Sequence, residues 1–234
     1  MTFVPSITLN QITFSGDQLV RPECVIASRN GDLYASHGGG GITHISPDGN
    51  SDVIFANNNE KPNDFIPNGY SLQPDGSFLV ANLGQSGGVY VLNRDGSLKT
   101  FIREVDGLTL PATNFANLDR TGRVWISVST TAINREQSFQ KSIADGFIVL
   151  VDQAGARIVA EGIGFTNENK IDPSGRWLYV HETMGRSLLR FPIKSNNDLG
   201  PRETVVEYGP GIYPDGFEFD CEGGIWCSLC LCFV

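Results

Sequence analysis

The chain is short of charge, of basic residues above all, and of long apolar runs. Only 18% of its 234 residues are charged, with 17 Lys and Arg against 26 Asp and Glu. A formal net charge of −9 repels a phosphate backbone and excludes nucleic acid as a partner. No stretch approaches the ~18 consecutive apolar residues of a membrane span, which excludes a membrane partner of the spanning kind. The N-terminus, Met1-Thr-Phe-Val-Pro-Ser-Ile-Thr-Leu-Asn10, lacks the basic start and apolar stretch of a secretory signal. An Asn-x-Ser/Thr sequon is absent as well, and the expectation is a cytoplasmic protein. Cysteine is scarce and badly distributed for disulfides: Cys24 stands alone, while Cys221, Cys227, Cys230 and Cys232 crowd the end. Lys and Glu, which cover exposed helix faces, are too few for a helical fold, and no segment repeats its apolar residues at helical spacing.

What is abundant is glycine, 27 residues, and it recurs on a period. Five segments begin with Glu, Asn or Asp, reach Gly eight residues later, and run on into an apolar or aromatic strand. They are Glu23 to Gly31, Asn68 to Gly76, Asn114 to Gly122, Asn167 to Gly175 and Asp215 to Gly223. The leading residues lie 45, 46, 53 and 48 positions apart, close to the ~40–50 residues of a four-stranded propeller blade. Turn text such as Gln73-Pro-Asp-Gly76 and Asp172-Pro-Ser-Gly175 is hairpin chemistry. A second apolar hairpin follows in most units, from Ile42, Val89, Phe147 and Leu188, completing four strands each. The pattern predicts an all-β propeller of antiparallel sheets. The innermost strands of a propeller start at one mouth of its channel, so Glu23, Asn68, Asn114, Asn167 and Asp215 are expected to ring that mouth. Repeated oxygen-bearing side chains there suit a hard cation, although Asn and Asp also cap strand starts by bonding their own backbone.

These residues carry a family resemblance: over residues 15–226 the chain resembles the SMP-30/gluconolactonase/luciferin-regenerating-enzyme-like group of six-bladed propellers. The most specific stretches are Asn167 with its Asp172-Pro-Ser-Gly175 turn, and Tyr213-Pro-Asp-Gly-Phe-Glu-Phe-Asp220. The resemblance implies a divalent-metal-dependent hydrolase of lactones or related cyclic esters. It assigns one cation, of Ca²⁺, Zn²⁺, Mg²⁺ or Mn²⁺ type, to Glu23, Asn167, Asp215 and Asn114. Asp215 and Asn114 are the catalytic candidates, and Asn68 and His181 are secondary candidates for contact with a small-molecule substrate. The chain departs from the family at Cys24-Val25, Phe115 and Ala112, beside the ligand positions, which alters the substrate pocket more than the cation site.

Within residues 1–234 the repeats amount to about four and a half blades in a single incomplete domain, followed by a Cys-rich tail at 227–234 that departs from the family pattern. An unclosed ring exposes sheet edges, through which self-association is expected. The rival expectations are a propeller that binds a ligand or partner without chemistry, and an inactive truncated product. Other motifs read as architecture. Gly84-Gln-Ser-Gly-Gly88 has the spacing of a nucleophile elbow but strands on both sides, where an elbow needs a helix after it. Gly38–Gly41 lacks the Lys of a phosphate loop. Trp125, Trp177 and Trp226 hold matching inner-strand places and are expected between blades. Cys227-x-x-Cys230-x-Cys232 has no second ligand pair for structural zinc.

Overall fold

Each sequence repeat folds into an antiparallel sheet, and consecutive sheets stack face to face. The structure is a computed structural model that describes residues 8–230 other than Ser15 and Gln18. The first blade orders β1 (Val25–Ala27), β2 (Leu33–His37), β3 (Gly41–Ile45) and β4 (Ser51–Phe55) from inside to outside. The second comprises β5 (Pro67–Leu72), β6 (Phe78–Asn82), β7 (Val89–Leu92) and β8 (Leu98–Ile102). After a short hairpin of β9 (Glu104–Val105) and β10 (Leu108–Thr109), the third contains β11 (Thr113–Leu118), β12 (Val124–Val128), β13 (Gly146–Asp152) and β14 (Gly155–Ile163). The fourth follows with β15 (Thr166–Ile171), β16 (Trp177–Glu182), β17 (Ser187–Pro192) and β18 (Glu203–Glu207). A two-stranded fifth sheet pairs β19 (Tyr213–Phe219) with β20 (Ile225–Cys230). The stretch from Cys227, set apart in sequence as a tail, thus continues β20 to Cys230; Cys232 lies outside the described residues. The chain is an all-β propeller.

Strand periodicity explains how one blade serves two cores. Side chains alternate between faces, so Phe78 and Val80 of β6 pack toward the first blade while Leu79 and Ala81 pack toward the third. Val124, Ile126 and Val128 of β12 likewise face the second blade, and Trp125 faces the fourth, packed with Ile148, Leu178 and Val180. Between the fourth and fifth sheets the packing is aromatic: His181 lies 4.7 Å from the Phe217 ring, and Tyr179 meets Phe219 edge-on at 5.1 Å.

The inner hairpins of the second to fifth sheets share a carboxylate-centred turn, on Asp75, Asp119, Asp172 and Asp220. Gly122 takes φ +85, where a side chain is strained, and the Asp119 carboxylate accepts from the backbone N–H groups of Thr121 and Arg123 and from the Trp125 indole at 3.0 Å. Asp220 repeats this with Trp226 at 3.0 Å. The two tryptophans differ in cover: Trp125 is 0% exposed, whereas Trp226 is 48% exposed, because among the described residues no sheet packs over the outer face of β20. The helical elements described are the 3-10 turns Leu9–Gln11 and Arg135–Ser138, and no helix is long and apolar enough to cross a membrane.

Candidate metal centre

The five leading residues of the repeats do converge. Glu23, Asn68, Asn114, Asn167 and Asp215 line one cavity of about 70 Å³, together with Cys24, Phe115, Glu168 and Ser228. A cavity needs roughly 10–15 Å³ of such volume to hold one water, so this space suits a cation with a few waters, and a sugar-sized ring would have to sit above it.

What aims these side chains is a repeated defect in the strands. The ladders slip between Pro67 and Tyr70, between Thr113 and Phe115, between Thr166 and Asn169, and between Pro214 and Phe217. Asn68, Asn114, Asn167 and Asp215 each fall in one of these bulges, which bend a strand and turn a side chain out of the regular alternation. Glu23 lies just before β1, its N–H and that of Cys24 both donating to Ser36 Oγ at 3.0 Å. A Pro or a Thr precedes each leading residue: Pro22-Glu23, Pro67-Asn68, Thr113-Asn114, Thr166-Asn167 and Pro214-Asp215. Proline has no N–H to continue a ladder, so Pro67 and Pro214 are sequence signals for two of the four bulges. Adjacent blades approach so closely here that a Cβ on Gly69 would lie 1.9 Å from the Phe115 ring, and one on Gly216 2.6 Å from Glu168 Oε2.

Hydrogen bonds orient the amides. Thr183 donates its hydroxyl to the Pro214 carbonyl at 2.8 Å and accepts from Asn167 Nδ2 at 2.9 Å. Asn167 Nδ2 also donates to Asp215 Oδ1 at 2.7 Å, which leaves Asn167 Oδ1 and Asp215 Oδ2 without a hydrogen bond to any described residue. Asn114, 4% exposed, makes no side-chain hydrogen bond within the described residues, while its carbonyl accepts from Asn68 Nδ2 at 2.8 Å. Asn68 is committed differently: its Oδ1 accepts two N–H groups of Arg21, both at 3.0 Å. His181, 0% exposed, lies beneath the site. Its Nδ1 is 2.8 Å from the Asp215 carbonyl and its Nε2 3.0 Å from Tyr208 Oη. Burial pushes His181 down to about 4. The ring is therefore neutral near pH 7, with its proton on Nδ1 because a carbonyl can only accept, and Tyr208 donates to Nε2.

The electrostatics are those of crowded carboxylates. Burial pushes the Glu23 carboxyl above its ordinary value; Arg21 and Arg135 oppose the rise, and Asp215 adds to it. Arg21 pairs with Glu23 at 3.1 Å. Burial also raises Glu168, opposed by Lys170 at 3.1 Å. Burial disfavours the charge on Lys170, yet Glu168 and Glu218 hold the ammonium above its ordinary value. Cys24 is pushed up to about 12, chiefly by burial, and Cys230 is raised by burial and then by Asp215 and Glu23, so both thiols stay protonated. Cys227 and Cys230 stand three apart on β20, on opposite faces of the strand.

Among the described residues no cluster of three His, Cys, Asp or Glu side chains is arranged to hold a metal ion, so a cation here would depend on amide oxygens. The available donors fit a hard cation: Glu23 and Asp215 supply carboxylates whose mutual repulsion it would relieve, and Asn114 and Asn167 supply amide oxygens free of other partners. Arg21, Arg135, Glu168 and Lys170 are the nearby charges that reading the repeats did not single out. None of them leads a repeat. Ser86, in the loop with elbow spacing, donates its hydroxyl to Asp64 and sits between two strands.

Residues 21–231 match the SMP-30/gluconolactonase/LRE-like region. The chain belongs to this family. Its match runs past Trp226 through the described part of β20. A 6-deoxy-6-sulfogluconolactonase of Pseudomonas putida is 27% identical over 161 residues, which cover 67% of this chain and 52% of that protein. The chain thus matches about half the length of that curated relative. Among solved structures, a gluconolactonase of Xanthomonas campestris superposes with TM-score 0.72 at 20% identity, covering 91% of this chain and 71% of that one. A calcium-binding protein, regucalcin, of Agrobacterium tumefaciens superposes with TM-score 0.68 at 19% identity, covering 89% and 67%. At these identities the superpositions establish the fold alone.

Proposed function

We propose that this family member is a divalent-metal-dependent hydrolase of lactones or related cyclic esters. The observation that carries the reading is the meeting of Glu23, Asn114, Asn167 and Asp215, from four different blades, at one small cavity. The names of the Pseudomonas and Xanthomonas relatives agree with it, and the regucalcin name agrees with a hard cation.

Glu23, Asn114, Asn167 and Asp215 would hold the cation, which when bound polarises an ester carbonyl and lowers the pKa of water toward neutrality. The chain's own part is positional. Asn167 fixes Asp215 through Oδ1, and the buried His181 anchors the Asp215 backbone, so Oδ2 keeps one orientation toward the cavity. Asp215 Oδ2 takes a proton from the attacking water, the water oxygen bonds to the carbonyl carbon, the ring C–O bond breaks, and the proton passes to the departing ring oxygen. The product is an open hydroxy acid. Asn114 contacts the reacting oxygens from the third blade.

A pH-stat assay over a panel of five- and six-membered lactones, with chelator and then with Ca²⁺, Mn²⁺, Mg²⁺ or Zn²⁺ restored, tests this. Turnover is expected only with a cation; Asp215→Ala is expected to lose both cation affinity and turnover, and Asn114→Ala mainly turnover. Turnover that persists unchanged in chelator contradicts metal dependence, and equal loss of cation in both variants contradicts the division of roles.

A further inference from the structure

Two arginines attend residues that line the cavity, Arg21 bonded to Glu23 and Asn68 and Arg135 acting on the charge of Glu23, and the reaction just described uses neither. We propose that Arg21 and Arg135 form an anion subsite that recognises a negatively charged group on the substrate, remote from the carbonyl that is attacked. The inference rests on the lactone-hydrolase reading and adds the substrate class: lactones bearing a carboxylate, sulfonate or phosphate.

Arg21 is held as a fork. Its two terminal nitrogens bond Asn68 Oδ1 at 3.0 Å and one of them pairs with Glu23 at 3.1 Å, which leaves Nε–H and one further N–H unused by described residues. Arg135 is freer still. Among the described residues its guanidinium has no hydrogen-bond acceptor and no ion pair; it lies over the Phe139 ring at 5.9 Å, and Phe139 packs edge-on against Phe165 at 5.0 Å. Phe165 directly precedes β15, whose Asn167 lines the cavity, so this stack carries Arg135 toward the same mouth, where its charge acts on Arg21 and Glu23. Glu23 is the carboxylate that both arginines act on, and Glu136 lies beside Arg135; where Glu23 is drawn to a cation, the paired guanidinium groups are free to take a second, shared anion.

The element that brings Arg135 there is an independent observation. The links between the second and third strands of the first, second and fourth blades are residues 38–40, 83–88 and 183–186, but in the third blade the link is 129–145. Loops this long within compact domains are commonly functional. This one is built: Asp145 Oδ2 accepts from Thr130 Oγ1 at 2.9 Å and from Thr131 N and Oγ1 at 3.1 and 2.6 Å, Thr130 meets Ser138 at 2.6 Å, and Asn134 caps the 3-10 turn that begins at Arg135. The loop therefore presents Arg135 rather than letting it trail in solvent. Glu23 and Asp215 would balance the charge of a divalent cation that they held, so a positive field for a group remote from the carbonyl would come from the arginines.

The test pairs kinetics with binding. Wild type, Arg135→Gln, Arg135→Lys and the surface control Arg29→Gln are compared on glucono-1,5-lactone and its 6-phospho derivative. Calorimetric titration with gluconate, glucarate, 6-deoxy-6-sulfogluconate and 6-phosphogluconate then ranks carboxylate, sulfonate and phosphate as the distal group. The expected result is a preference of about tenfold for the distal anion, expressed in KM and in binding, lost in Arg135→Gln, partly kept in Arg135→Lys and unchanged in Arg29→Gln. Arg135→Gln acting equally on neutral and anionic compounds, or no preference in wild type, overturns the subsite. If wild type hydrolyses no lactone, the hydrolase reading fails by itself, and the calorimetry still decides the subsite: tighter binding of the doubly charged acids that Arg135→Gln abolishes sustains it, and equal binding refutes it.

Discussion

Asn167→Asp changes one atom of the centre and nearly nothing of its volume, so its consequences can be worked from the bonds around it. In the native protein Asn167 Nδ2 donates to Asp215 Oδ1 at 2.7 Å, with Asn167 only 7% exposed. The substitution removes a charge-assisted bond contributing about 2 kcal/mol. It also sets two carboxylates at that separation, a repulsion of order 6 kcal/mol at an effective dielectric of 20. Holding one shared proton costs less, so in the folded variant the new pair of carboxyl groups titrates above the ordinary range. The sign follows: the folded variant then binds a proton more tightly than its unfolded chain, so its stability is kept at low pH and lost as pH rises through the raised value. With chelator present, urea unfolding should show a loss of about 3–5 kcal/mol at pH 8 and about 2 kcal/mol at pH 5. For a urea dependence of about 2 kcal/mol per molar, the pH 8 midpoint falls by roughly 1.5–2.5 M. Millimolar Ca²⁺ should then stabilise the variant more than the native protein, because a third carboxylate joins the donors. An unchanged midpoint at pH 8, or the same loss at both pH values, would refute the placement of Asn167 against Asp215.

Two further outcomes test the fold. Trp125 and Trp226 make the same indole bond to Asp119 and Asp220, but only Trp125 is covered; Trp125→Leu should cost about 3 kcal/mol and Trp226→Leu about 1 kcal/mol in chemical unfolding, and equal costs would contradict the difference in packing. Hydrogen bonds from Arg157 hold the Asp152 carboxyl down to about 2. Its contribution is present above pH ~4 and lost as pH falls through about 2, so Arg157→Gln, discounted for solvent screening, should cost about 1 kcal/mol at pH 7 and only a small part of that at pH 2. A cost independent of pH would assign Arg157 to packing alone.

The blades were legible because each repeats a polar start, a glycine turn and an apolar strand at fixed intervals, a period that survives wide differences in sequence. Glu23, Asn68, Asn114, Asn167 and Asp215 could be picked out for the same reason: they occupy one place in the repeat, and a propeller brings one place to one mouth. The bulges were not read, although Pro or Thr precedes every leading residue, because a register slip depends on the partner strand as well as on local text. Position in the repeat also could not separate Asn68, tied up by Arg21 and Asn114, from Asn167, whose oxygen is free. His181 proved to bond on both ring nitrogens, a fact that only the approach of β19 and Tyr208 creates. Arg135 lies in the 129–145 link, where periodicity carries no information. Trp226 illustrates the converse: its sequence context is that of a buried inter-blade residue, and its exposure is decided by which sheets lie beside it.

The most direct test of the centre is thermal unfolding of the native chain and Asp215→Ala with excess Ca²⁺, Mn²⁺, Mg²⁺ or Zn²⁺. A ligand that binds only the folded state at a hundred times its Kd stabilises by about 2.7 kcal/mol. The account predicts a rise in Tm with at least one of these ions that Asp215→Ala removes; no rise with any ion, or the same rise in the variant, would contradict a cation site at Glu23, Asn114, Asn167 and Asp215.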